Sequence, residues 1–202
     1  MKSLMKDPLN IIIIGVAGQG NVVTSTVVCD ALVKEGFVVT FGQIYTAFQR
    51  GGPVINYIRV SKENHYSPIV PQGHADIIVG MEATEAMRML VQYGNPDVVT
   101  IVNPKTLRSI DMVGAKDEYL NVDKLIKDIK ELSAKTWVVN ATEEAQKLGN
   151  PIIANVLLVG SLVGSGLLPL DRKSLEPVLR EHFPNVFELN MRAFDRGMEL
   201  VE

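Results

Sequence analysis

NIIIIGVAGQG, residues 10–20, runs four consecutive isoleucines into a glycine-rich turn. Ile11 to Ile14 are β-branched and apolar on both alternating faces, the pattern of a strand buried on both sides of a parallel sheet. Gly15, Gly18 and Gly20 then remove side chains where the backbone has to turn. From Asn21 the spacing is helical: Val23, Val27, Val28, Ala31 and Leu32 share one face, and Gly36 is the expected stop. A strand, a glycine turn and a helix in this order present backbone N–H groups at a helix N-terminus. An anion or a close-packed loop fits there. The glycines fall as G-x-x-G-x-G rather than the dinucleotide G-x-G-x-x-G, and Ala17 stands at the usual second glycine. No Gly-Lys-Ser/Thr follows, and the next strand, Phe37 to Phe41, leads into Gly42 and Gln43 with no acid to hold a ribose. Locally, then, the turn has two readings: an anion cradle, or glycines that let strand and helix pack tightly.

The rest of the chain bounds what that turn can belong to. With 202 residues, 47% apolar and 21% charged, the chain suits one domain, residues 1–202, with a substantial core. A net charge of −3 with both signs mixed along the sequence gives no basic nucleic-acid surface. No apolar stretch reaches the ~18 residues of a membrane span, and the first ten residues lack a signal-peptide core. A cytoplasmic address is expected, with no nucleic-acid or membrane partner. Cys29 is the single cysteine, so a cysteine-held zinc or iron–sulfur site is excluded within the chain, and its place on the first helix suggests a small core residue. His65, His74 and His182 are scattered without ligand spacing. No catalytic or metal-binding residue is assigned.

Outward from the opening unit, residues 42–53 (GQIYTAFQRGGP) form a polar, glycine-containing loop, and Val54–Val60 alternates as a third, less buried strand. Residues 66–73 make a proline-rich crossing. Asp76–Gly80 is a short buried strand, followed by a helix over Glu82–Tyr93 with Ala86, Met87, Leu90 and Val91 inward. Asp97–Val102 is a strand stopped by Asn103-Pro104, and residues 104–120 have no clear pattern. Asn121–Ser133 is an amphipathic helix, Thr136–Asn140 the last strand, and Ala141–Leu148 a helix closed by Gly149. Helices fill the remainder: nearly all-apolar Ile152–Gly166, then Asp171–His182 and Asn185–Val201 with Asp171 and Asn185 as N-caps. Strands alternating with helices and then a helical tail predict an α/β fold, a three-layer, largely parallel, Rossmann-like sheet.

In such folds ligands gather beyond the carboxyl ends of the strands. Gly15, Gly18, Gln19 and Gly20 are expected there, with the loop Gln43–Gly52, which carries Gln49-Arg50-Gly51-Gly52, and the turns after Gly80 and Asn103. Arg50 is placed to grip a phosphate or carboxylate bidentately, or to form a salt bridge at a subunit interface. Tyr66-Ser67-Pro68 is a rigid contact loop or a plain turn. Asn155, on the apolar late helix, needs a partner if buried, most simply the backbone.

Taken together, Gly15–Gly20, Gln49–Gly52, Tyr66-Ser67-Pro68 with Ala75-Asp76, and Leu148–Pro151 with Ala154-Asn155 occur in an order and spacing that resembles the gamma subunit or domain of 2-oxoacid:ferredoxin oxidoreductases. The pattern covers residues 10–200 and is most similar to the stand-alone form that serves as the beta subunit of indolepyruvate enzymes. The resemblance implies a share in oxidative decarboxylation of a 2-oxoacid with coenzyme A, giving acyl-CoA, carbon dioxide and reduced ferredoxin. It also implies that thiamine diphosphate and the Fe–S clusters lie on partner subunits, and that no cofactor is held by this chain alone. Carried over by position, Gly15, Gly18, Gln19, Gly20, Gln49, Arg50, Gly51, Gly52 and Ser67 would meet ligand or partner, Arg50 facing either a coenzyme A phosphate or a neighbouring subunit. A contact between two copies of the chain is compatible with it. Ala17 replaces a common glycine, Gln43-Ile44-Tyr45 an element resembling Glu-Val-His, and Ala47-Phe48 a Met-Ser-like pair. A different aryl, branched or short 2-oxoacid therefore suits the same scaffold. Two other classes remain: a dinucleotide-dependent dehydrogenase, resting on the strand–glycine–helix unit alone, and a non-enzymatic scaffold module associating through Ile152–Gly166.

Overall fold

Leu9–Val16 (β1) is buried at every position because it has a strand on each edge and a helical layer on each face. The computed structural model describes residues 3–45, 52–106 and 121–201. Its sheet has six strands in the order β2-β3-β1-β4-β5-β6, the others being Val38–Tyr45 (β2), Pro53–Ser61 (β3), Ile77–Gly80 (β4), Val99–Val102 (β5) and Lys135–Val138 (β6). The pairs β1–β4, β4–β5 and β5–β6 are parallel.

Alternation along β1 divides the core. Ile11 and Ile13 belong to the cluster built with helices Asn21–Lys34 (α1), Ala141–Lys147 (α4), Ala154–Gly164 (α5), Arg172–His182 (α6) and Phe187–Glu199 (α7). Ile12 and Ile14 pack against Ala83–Tyr93 (α2) and Val122–Glu131 (α3). This is the expected three-layer, largely parallel α/β architecture. Among the described residues no helix is long and apolar enough to cross a membrane.

Several expectations are corrected. Residues 42–45 are strand rather than loop, because Gly42 to Tyr45 continue in antiparallel register opposite Tyr57 to Val54. β3 is not a lightly buried strand: it lies between β2 and β1, antiparallel to both, and Asn56 to Ser61 are all buried. Its alternating polar residues misled the reading because they are enclosed with partners, Asn56 accepting from the Gln43 amide and Arg59 donating to Asn10. In α2, Val91 is 75% exposed while Met89 and Tyr93 take inward positions. The helix starts with Glu82 as cap, accepting from the Glu85 N–H, and the turn that follows sets which face meets the sheet. Asn185 does not cap α7, which begins after Val186 without a side-chain cap, whereas Asp171 caps α6 in a reciprocal capping box with Ser174. Residues 107–120, unassigned from sequence, lie outside the described residues.

The apolar Ile152–Gly166 stretch is a 3-10 turn, Pro151–Ile153, followed by α5. Asn155 to Val163 are buried without interruption, so this helix is enclosed in the core rather than offered for association. Its cover is α7, and backbone meets backbone where they cross. A Cβ on Gly160 would lie 2.1 Å from the Phe194 carbonyl oxygen, and one on Gly197 1.9 Å from that of Leu157. Ser161 ties the crossing by donating to the Gly197 carbonyl at 2.9 Å. Neither backbone can retreat without opening the larger core. Gly197→Ala is therefore expected to lower the unfolding free energy by about 1–3 kcal/mol or more, read as a shift of the denaturant midpoint. An unchanged midpoint would show that the helices do not cross this closely.

Candidate functional site

The parallel strands β1, β4, β5 and β6 all release the chain on one side of the sheet. There the segments after Val16, Gly80, Val102 and Val138 bound a cleft of about 350 Å³. Gly18, Gln19 and Gly20 form one wall; Met81, Asn103, Lys105 and Thr142 another; Pro151, Ile152, Asn155, Leu158 and Phe183 close the third.

The glycine turn is held by its own side chains. Gln19 Oε1 accepts from the Val16 N–H at 2.7 Å, Gln19 Nε2 donates to the Met81 carbonyl at 3.3 Å, and Asn21 Nδ2 donates to the Val16 carbonyl at 3.0 Å. These groups fill the space over Gly15, where a Cβ would fall 2.5 Å from Asn21 Oδ1 and 2.6 Å from Gln19 Oε1. Gly20, at φ 83°, is the N-cap of α1 and has no side chain with which to cap the helix. Asn21 is turned back to bond Val16, so among the described residues no side chain accepts from the first N–H groups of this fourteen-residue helix, whose N-cap Gly20 lines the cleft.

Across from this terminus lies Asn155, 7% exposed. Its Oδ1 accepts from the Val156 N–H at 2.8 Å, the backbone partner expected from sequence. Its amide nitrogen would be 2.6 Å from a Cβ on Gly20, so only glycine fits beneath it. Asn103, also buried, donates to the Met81 carbonyl at 3.2 Å and to Thr142 Oγ1 at 2.9 Å. Lys105 is exposed and is the one charged residue of the lining among the described residues. A helix N-terminus, amide groups and one ammonium opposite an apolar wall suit a ligand with an anionic end and an apolar body.

The turn thus brings together Gly15, Gly18, Gln19 and Gly20, and Gly52 joins it because its carbonyl accepts from the Ala17 N–H at 2.9 Å. Gln49, Arg50 and Gly51, with Ala47-Phe48, lie outside the described residues. Ser67 is not brought to the cleft. It is exposed, and its carbonyl accepts from Arg59 at 3.1 Å, while Arg59 bonds Asn10 at 2.9 Å and stacks over Tyr66. Asn10 and Arg59 pair near the start of β1, the end opposite the glycine turn. Of the departures noted in sequence, Gln43 and Tyr45 engage each other and Asn56: the Tyr45 hydroxyl donates to the Gln43 side-chain oxygen. The turns after Gly80 and Asn103, expected at this end of the sheet, supply Met81, Asn103 and Lys105, although no individual residue of them was singled out from sequence, and Thr142 was passed over. Their signal was positional, each lying within a few residues of a strand's carboxyl end.

Among the described residues titratable groups add no activated nucleophile. Burial, and then the charge of Asp30, push the Cys29 thiol up to about 12. The Tyr57 phenol is likewise raised, first by burial and then by its 2.7 Å hydrogen bond to Tyr93. Among the described residues no cluster of histidine, cysteine, aspartate and glutamate could hold a metal. Two outcomes are expected. Gly20→Ala, strained at positive φ and blocked by Asn155, should lower stability by about 1–3 kcal/mol, whereas Gly18→Ala, with open space around it, should cost less; equal losses in chemical denaturation would refute the packing account. Cys29 should resist alkylation in the native protein at mildly alkaline pH and react once unfolded. Rapid native labelling would contradict its half-buried, protonated state.

The family described as pyruvate ferredoxin/flavodoxin oxidoreductase matches residues 10–200. The chain is 31% identical over 189 residues to indolepyruvate oxidoreductase subunit IorB of Methanothermobacter thermautotrophicus, covering 93% of this chain and 95% of that one. Among solved structures, its fold is similar to pyruvate oxidoreductase subunit PORC from Thermotoga maritima, with TM-score 0.69, 24% identity and coverage of 96% and 97% of the two chains. It is also similar to the 2-oxoglutarate:ferredoxin oxidoreductase from Magnetococcus marinus, solved with 2-oxoglutarate, coenzyme A and succinyl-CoA bound, with TM-score 0.75 and 18% identity. That match covers 97% of this chain, which spans only 31% of the longer one. Sheet order, glycine turn and the match from residue 10 to residue 200 converge: the chain belongs to the pyruvate ferredoxin/flavodoxin oxidoreductase family.

Proposed function

We propose that this chain, as a single gamma-type domain over residues 1–202, is the non-cofactor-bearing subunit of a cytoplasmic 2-oxoacid:ferredoxin oxidoreductase. With thiamine-binding partner subunits it takes part in converting a 2-oxoacid and coenzyme A to acyl-CoA, carbon dioxide and reduced ferredoxin. The observation that carries the reading is the family match over residues 10–200. The donor set agrees with that division of labour, since one cysteine, its thiol pushed up to about 12, cannot ligate a cluster that takes four thiolates. Thiamine diphosphate and the clusters, carried by the partners, supply carbanion stabilisation and electron transfer.

In this reading the cleft receives a phosphate of coenzyme A. The uncapped start of α1 and the Lys105 ammonium attract the anion, Gly18 and Gly20 let backbone approach it, and Ile152 and Phe183 offer apolar surface to the rest of the molecule. Arg50 is placed by its sequence position to assist the phosphate or to lock the partner. Which 2-oxoacid is used is not written in the cleft. The family members compared carry indolepyruvate, pyruvate and 2-oxoglutarate in their names, and Gln43 and Tyr45 are engaged within the sheet.

The purified chain alone should show no 2-oxoacid-dependent ferredoxin reduction. Anaerobic reconstitution with a thiamine-binding partner should restore it, and Lys105→Ala in that complex should raise KM for coenzyme A roughly tenfold with kcat little changed, the equivalent of one charge-assisted contact. Turnover by the isolated chain would sink the subunit reading. An unchanged KM would remove the phosphate from this cleft while leaving the subunit reading intact.

A further inference from the structure

The two edges of the sheet are built differently. β6 is four residues long and carries Lys135, its ammonium 3.8 Å from the centre of the Trp137 ring. Short length and an edge lysine are standard protection against pairing with another chain. β2 is eight residues, Val38–Tyr45, with no charged residue and no proline. Phe41, Ile44 and Tyr45 are 37%, 41% and 60% exposed. Among the described residues nothing pairs along its outer side. β3 takes the backbone groups on one side, and by the alternation of an antiparallel ladder every second N–H and C=O of β2 points away. Such an edge is a template for one more strand.

We propose that β2 pairs antiparallel with β2 of a second copy of this chain, about a two-fold axis normal to the sheet, so that two six-stranded sheets become one. A strand is specified as the occupant because the unmet groups are a row of main-chain donors and acceptors. A second copy is specified because an isologous contact sets a patch against itself, where any net charge would repel, and this strand has none. The same pairing covers both exposed edges at once and closes at two. An axis normal to the sheet keeps faces in register, so the Val39–Phe41–Gln43 row of one copy adjoins the same row of the other. α1 packs on β2, with Val39 in the cluster that holds the buried face of α1, and Val22 and Val33 of α1 are exposed. The proposal does not depend on the subunit reading, since it concerns the chain by itself.

Sedimentation equilibrium of the full chain over a wide concentration range tests it, with hydrogen exchange read at the β2 amides. The expected result is twice the mass of one chain and protection at alternate β2 amides beyond those bonded to β3. Phe41→Lys and Ile44→Lys, each adding a like charge to both paired edges, should halve the mass with circular dichroism and Tm unchanged. A monomer at every concentration would overturn the proposal. So would a dimer with freely exchanging outer β2 amides, or one that persists in folded lysine variants; wild-type exchange decides the matter even where a lysine variant fails to fold.

Discussion

The burial of β1 on two faces and two edges is the constraint on which the remainder depends. Ile11 and Ile13 lie in one hydrophobic cluster and Ile12 and Ile14 in the other, so this strand joins the two halves of the core. Full enclosure leaves its backbone only neighbouring strands to bond, and β3 and β4 supply them in opposite directions. Because β4, β5 and β6 follow β1 in parallel, their exits fall on one side, and the cleft is a consequence of that direction. A polar residue at Ile12 or Ile13 would strike both the sheet and a helical layer.

The glycine turn serves packing and the cleft together. Gly15 makes room for the Gln19 and Asn21 side chains that staple the turn, and Gly20 makes room for Asn155. With the Gln19 and Asn21 side chains bonded to the backbone of Val16 and Met81, the start of α1 has no side-chain cap among the described residues. Backbone N–H groups left this way beside an ammonium and buried amides favour negative charge. Tight packing and anion attraction, alternatives at the level of sequence, are in the fold the same arrangement seen from two sides.

The helical tail contributes by closing this side of the core. α5 and α7 cross so closely that Gly160 and Gly197 are required, and α5 brings Asn155 to the cleft at its first turn. Stability of the crossing and the position of Asn155 are therefore linked: a shift of α5 would move the amide over Gly20. The polar triad Tyr45–Gln43–Asn56 works similarly on the other flank, fixing side chains of β2 to β3 while the outer backbone of β2 stays unbonded by the described residues.

Residues 10–36 determined a strand, a turn and a helix by themselves, because periodicity, β-branching and glycine placement are local properties. The motifs in register also determined the family. Strand direction was beyond local reading: β3, with Asn56 and Arg59 in alternation, has the pattern of a half-exposed strand, and only its place between β2 and β1 buries it. Likewise, only the fold places Ser67, whose carbonyl Arg59 holds at the start of β1, far along the sheet from the turn. Asn103, Lys105 and Asn155 meet Gly20 only because parallel strands and α5 converge, from positions roughly a hundred residues apart in the chain. Composition and spacing act over a turn or two of backbone; convergence of distant segments is set by how the layers pack, and that was decided in three dimensions.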